Sequence, residues 1–212
     1  MALKLFILNL ILGSPGLLPA DGQNPQQLNR GRIVWSQHAG QAQLITQANY
    51  PTQGQTPAER ATYFLRTHRA LTGGESLVLD KVTQSKRGSV VRYTQVHNRL
   101  SVLDRAATVS IDHTGAVTTF QTDCGPIDSV EPTRLTPADA TERLVAFIAQ
   151  KFTVTLDPAA VETPKLGLVA AGKIGVPVYE FHVSPLPTIS HVKVRIDAST
   201  GEVVGLTNAL TH

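Results

Sequence analysis

A single cysteine, seven histidines and two aspartates in matching surroundings are the residues of this 212-residue chain whose types could carry out chemistry. Cys124 lies in Thr122-Asp123-Cys124-Gly125-Pro126 and would need a histidine base, with His97 or His113 as the available partners. Nothing in the spacing selects either histidine, so Cys124 reads as an incidental loop thiol or a partner in an intermolecular disulfide rather than a nucleophile. His182 and His191 flank Val183 to Ser190, and strand pairing could bring them together as two metal ligands. Neither a carboxylate nor a third histidine stands where it would complete that set. His68 falls on the apolar side of a helical pattern and reads as a partly buried core residue. Asp112 and Asp197 could form an acid–base pair, but each precedes a glycine turn, which favours bonding to local backbone donors. Gly73-Gly74 lacks the strand and the Lys-Ser/Thr of a phosphate loop. Lys81, Lys86 and Arg87 read as a solvated hairpin edge. The sequence therefore assigns no catalytic, cofactor-binding or metal-ligating residue, and it implies no cofactor.

The elements that would position these residues repeat. Thr56-Pro57-Ala58-Glu59 carries an N-cap, a proline at the first helical position and a glutamate able to reach back to the cap. Ala61, Phe64, Leu65, His68 and Leu71 follow at helical spacing, and Gly73-Gly74 ends the predicted helix. The same device returns as Thr136-Pro137-Ala138-Asp139, with Ala140, Leu144, Ile148 and Phe152 as its apolar stripe. Strand-like runs follow each helix. They are Val90 to His97, Ala106 to Asp112 and Ala116 to Thr122 after the first, and Val178 to Val183, His191 to Asp197 and Glu202 to Leu206 after the second. Asp112 to Gly115 and Asp197 to Gly201 are the matching turns. Val192, Val194 and Ile196 alternate with Lys193, Arg195 and Asp197, as suits an antiparallel sheet with one wet face.

An apolar helix stripe and a one-sided sheet each need a partner, and packing one on the other satisfies both. The predicted class is α+β, two consecutive cystatin-like modules, each one helix packed on an antiparallel β-meander. The expected organisation is a signal peptide at 1–20 and a lead-in at 21–55 with a hairpin formed by Arg32 to Trp35 and Gln43 to Thr46. Modules at 56–125 and 133–206 follow, and then a tail at 207–212. Lys4, the apolar run Leu5 to Leu12 and the breakers before Ala20 read as an export signal, which places the protein outside the cell or in its envelope. The apolar run is too short to span a bilayer. Hydrophobic residues at 42% supply a core. A net charge of +3 without a run of Lys and Arg gives no case for nucleic acid.

Arg92-Tyr93-Thr94-Gln95-Val96-His97-Asn98-Arg99-Leu100-Ser101-Val102 resembles the strand motif of the fungalysin/thermolysin propeptide domain, in which a Gln, an aromatic or His, a turn and a small apolar strand succeed one another. Ala61 to Leu71 resembles the helix before that motif, and Trp35 to Ile45 the opening hairpin. Residues 136–206 resemble the PepSY-type module that follows in precursors of thermolysin-family zinc metallopeptidases, through Val178 to Val183 and Val194 to Val204. Arg92, Gln95, His97, Asp112, Gly115, Asp197 and Gly201 are the positions that carry the match. Where the family usually has Gly and Pro in the turn, this chain has Arg99 and Ser101. A precursor would also contain a His-Glu-x-x-His helix, and no Glu follows any His here.

The resemblance implies a stand-alone, non-enzymatic prodomain-like protein that inhibits or helps to fold a thermolysin-type zinc metalloprotease, with the catalytic domain of that protease as its partner. The expected protease-binding tail contains Leu206, Asn208, Leu210 and His212. The two leucines would fill apolar subsites, and the imidazole or terminal carboxylate would approach the partner's zinc. Two alternatives stand beside this reading. One is an envelope adaptor that recruits partners by strand addition at a sheet edge; the other is the remnant of a metalloprotease precursor without its catalytic domain.

Overall fold

The computed structural model describes residues 32–35, 42–69, 76–184 and 192–208. The signal segment, Leu71, Gly73-Gly74, His191, Leu210 and His212 lie outside the described residues. The chain is α+β, and its described residues form two α-helices and a mixed, mostly antiparallel sheet. Its elements run β1 (Arg32–Trp35), β2 (Ala42–Pro51), α1 (Pro57–Thr67), β3 (Ser76–Ser85), β4 (Gly88–His97), β5 (Leu100–Asp112), β6 (Ala116–Thr122) and β7 (Ser129–Val130). They continue through α2 (Pro137–Phe152), a short 3-10 turn at Pro158–Ala160, β8 (Lys165–Ala171), β9 (Ile174–Val183), β10 (Val192–Asp197) and β11 (Val203–Asn208).

Both helices begin with the capping box that their sequences specify. Thr56 Oγ1 accepts from Glu59 N at 3.2 Å, and the Glu59 carboxylate accepts from Thr56 N at 3.1 Å and Gln55 N at 2.7 Å. Thr136 Oγ1 accepts from Asp139 N at 3.2 Å, and the Asp139 carboxylate accepts from Thr136 N at 2.9 Å. α1 stops at Thr67 with His68 as its C-cap, short of Gly73-Gly74, where the sequence places its end. The Thr67 hydroxyl bonds back to Tyr63 O at 2.8 Å, a competing local bond of the kind that loosens a last turn. α2 ends at Thr153, which takes the left-handed conformation (φ 56°).

β3, β4, β5 and β6 form one antiparallel meander, extended beyond β6 by β2 and β1; β8, β9, β10 and β11 form another. The two are not separate sheets. β5 is 13 residues long, and its first part reaches past the β6 ladder to pair in parallel with β8 at Val102–Leu168. The stretch between the two expected modules also contains β7, paired in parallel with β9 at Ser129–Ile174 and Val130–Gly175.

Each helix covers a core of its own. Ala61, Phe64 and Leu65 of α1 pack on Ile45, Val91, Tyr93, Val109 and Phe120. Ala140, Leu144 and Ile148 of α2 pack on Tyr179, Phe181, Val192, Val194 and Ile196. Full burial of one such Phe or Leu stabilises the fold by about 1.5–3 kcal/mol. A third, smaller cluster of Val102, Ile127 and Leu168 fills the β5–β8 junction. Leu103 lies so close to Gly167 that a Cβ there would come within 2.7 Å of its Cγ, so the strands approach through a missing side chain.

Candidate functional site

Many of the side chains singled out from the sequence fall into three places: the seam between the meanders, the two hairpin turns, and the face of the second meander turned away from α2. At the seam, Gln95 of β4 is fully buried and grips Gly125 from both sides. Its amide nitrogen donates to Gly125 O at 2.8 Å, and its amide oxygen accepts from Gly125 N at 3.1 Å. The Arg105 guanidinium also donates to Gly125 O and reaches Gly172 O at 2.8 Å in the β8–β9 turn. Gln95 is thus a positioning residue for the chain that leaves the first core. Cys124, next to it, is 6% exposed and packs into that core, and its backbone N–H bonds Thr122 Oγ1 at 3.0 Å. A thiol so placed is a small apolar filler. His97 is half-buried at the end of β4, opposite Leu100. Arg92 is exposed and pairs with Asp80 at 3.3 Å. Between β4 and β5, Asn98 (φ 49°) and Arg99 (φ 68°) form a two-residue turn with both residues left-handed, the geometry that favours Asn-Gly.

The two aspartates lie in different turns and bond to their own backbone. Asp112 accepts from Thr114 Oγ1 at 2.7 Å, Thr114 N at 2.8 Å and Ala116 N at 3.1 Å. The Thr114 hydroxyl bond, helped by the two backbone bonds and by His113, holds its carboxyl below the usual aspartate range against the cost of desolvation. Asp197 accepts from Ser199 N at 2.7 Å and Thr200 N at 3.0 Å. Gly115 (φ 90°) and Gly201 (φ 81°) complete these turns, and an arginine of the overlying helix rests on each: Arg60 of α1 on Gly115, Arg143 of α2 on Gly201. Tyr93 and Tyr179 likewise tie each sheet to the start of its helix, through Tyr93 Oη with Thr62 Oγ1 (2.9 Å) and Tyr179 Oη to Leu135 O (3.0 Å).

Glu180 was not singled out from the sequence. Its side chain is 7% exposed, although it stands on the face expected to be wet. Arg195 Nε lies 2.9 Å from its Oε2, while Lys193 Nζ and His182 Nε2 each lie 3.4 Å from its Oε1. Burial pushes this carboxyl up. The Arg195 hydrogen bond and the charges of Lys193 and Arg195 more than offset that and hold it below the usual glutamate range. The signal available in the sequence was the alternation itself: Val178, Glu180 and His182 share a face with Lys193 and Arg195 once the register is known.

The expected tail begins as structure. Leu206 pairs with Val194 and Asn208 with Val192 in β11, so the first two expected tail residues belong to an edge strand, with Leu206 44% exposed. Among the described residues, one shallow cleft lies beside the Asp112–Gly115 turn and another along α1. The one between Pro51-Thr52 and Thr114-Gly115 is lined by no titratable side chain. The other contains Glu59, whose carboxylate is already engaged by the capping box. Among the described residues no His/Cys/Asp/Glu cluster has the three members that a metal site needs. Among them, too, no helix is long and apolar enough to cross a membrane.

No family model matches the sequence, and no curated protein matches it. Among solved structures the chain is similar to the Bacillus megaterium YpeB C-terminal domain, at a TM-score of 0.44 and 15% identity, covering 81% of this chain and 74% of that one.

Proposed function

We propose that this chain is a non-catalytic, prodomain-like binding protein, built from a propeptide-type and a PepSY-type module of cystatin-like packing, that restrains or helps to fold a thermolysin-type zinc metalloprotease outside the cell. The observation that carries the reading is the run from Arg92 to Val102 and its resemblance to the propeptide strand motif. The geometry lends support in one respect: the polar residues of the motif serve the scaffold. Gln95 clamps Gly125, while Asp112 and Asp197 close turns through backbone bonds. A molecule whose polar side chains are engaged in this way acts by offering a rigid surface. A surface that binds only the folded protease stabilises it by mass action. Leu206 and Asn208 on β11, continuing into Leu210 and His212, are the residues proposed to meet the protease cleft.

Titration of the purified chain into a thermolysin-like protease tests the reading. A dose-dependent loss of peptidase activity, reversed by dilution, is the expected result. Unchanged activity at micromolar chain, together with no complex on size-exclusion chromatography, would refute it.

A further inference from the structure

The register of the second meander lays out a grid on the side of the sheet away from α2. Lys165, Glu180, Arg195 and Gly205 form one cross-strand row, and His182, Lys193 and Thr207 form the next. In-register residues of antiparallel neighbours share a face about 5 Å apart, and residues two apart along a strand are separated by about 6.8 Å. Three permanent cations, Lys165, Lys193 and Arg195, therefore surround the Glu180 carboxylate, with His182 as a fourth basic group, while Asp197, in the next row of the same face, is engaged by Ser199 N and Thr200 N in its own turn. Both oxygens of Glu180 are already engaged, so an incoming anion meets cations rather than a free acid. The other non-histidine ion pairs of the described residues are one-to-one: Arg92 with Asp80 and Lys173 with Asp128. Lys165 is exposed and has no ion-pair partner among the described residues. At β11 the grid ends in Gly205, over which the Arg195 side chain lies, and in Thr207.

We propose that this face of β8, β9 and β10 binds an acidic polypeptide segment in extended conformation. The spacing from Lys193 to Arg195 along β10 matches carboxylates at alternate positions of an extended peptide. Arg195 engages Glu180 through Nε, which leaves its two terminal amino groups as further donors. A second copy of the same face would set cations against cations, so self-association here is disfavoured. Nucleic acid is the weaker match, because the grid has no Phe, Tyr or Trp to stack a base and the chain no long basic run.

The test uses the purified chain and a fluorescein-labelled octapeptide of alternating Glu and Thr, read by fluorescence anisotropy at low ionic strength. Saturable binding that weakens with added salt is expected. Lys165→Gln with Lys193→Gln leaves the Arg195–Glu180 pair in place, and should weaken binding about five- to tenfold while the far-ultraviolet circular dichroism stays unchanged. An alternating Lys-Thr peptide should not bind. Three outcomes would overturn the proposal: no binding of the acidic peptide up to about 1 mM, equal binding by the folded double variant, or binding of a DNA duplex as tight as that of the peptide.

Discussion

Replacing Gln95 by Ala should be among the most damaging single changes outside the apolar cores. The side chain is fully buried and makes two hydrogen bonds to one residue, at 2.8 and 3.1 Å. Arg105 still donates to Gly125 O in the variant, so the carbonyl keeps a partner. The Gly125 N–H, in a buried residue, loses the amide oxygen it donates to. An unsatisfied buried donor costs about 1–3 kcal/mol, and the second lost bond about 0.5–1.5 kcal/mol. A total near 3 kcal/mol follows, equivalent to a fall of about 6–12 °C in Tm for a chain of this size. Urea unfolding followed by tryptophan fluorescence and circular dichroism supplies the free energy. Gln95→Glu sharpens the test. A carboxylate cannot donate to Gly125 O, whereas a protonated carboxyl can, so its deficit against the parent should narrow as the pH is lowered toward 4. A Gln95→Ala loss below about 1 kcal/mol, or a Gln95→Glu deficit that does not depend on pH, would refute the assigned role.

Two further outcomes follow from single side chains. The His68 ring lies 4.5 Å from Tyr50 and 4.8 Å from Phe64, with Nε2 buried and without a hydrogen-bond partner among the described residues, and burial holds its pKa below 6.5. The unfolded chain therefore takes up the proton first. The stability present above pH 6.5 should be lost as the pH falls from there through the lowered folded value, and His68→Leu should flatten that slope in thermal melts at pH 7.5 and 5. Arg99 sits at φ 68° in a turn where both residues are left-handed, so Arg99→Gly should stabilise the protein by about 0.5–1 kcal/mol, read as a rise of a few degrees in Tm.

Much of the local structure was legible because it is local. Both capping boxes need only four consecutive residues, and both form at Thr56 and Thr136. The parts of the apolar stripes through Ala61, Phe64 and Leu65 and through Ala140, Leu144 and Ile148 face their sheets because a 3.6-residue period allows little else. The Asp112 and Asp197 turns were readable for the same reason. The end of α1 was not legible, because a glycine pair marks only where a helix must have stopped, while the Thr67–Tyr63 bond loosens its last turn several residues earlier. The seam was not legible. Val102 meets Leu168 and Gln95 meets Gly125 across long stretches of chain, and no period in the sequence encodes such a pairing. The Glu180 cluster was missed for a related reason: its partners sit 13 and 15 residues away on β10, and only the β9–β10 register brings them to one carboxylate. The last strand was expected to end at Leu206 with the tail from residue 207, yet β11 runs on to Asn208, because Lys193 and Val192 continue an edge that backbone hydrogen bonding can fill.

The proposed activity of this polypeptide is to grip a folded protease domain. Refolding a denatured thermolysin-like catalytic domain with and without an equimolar amount of the chain tests that most directly, with the yield of active enzyme read after the complex has been dissociated. A markedly higher yield with the chain present is the predicted result. Equal yields, alongside an inhibition titration that shows no effect on native enzyme, would contradict it.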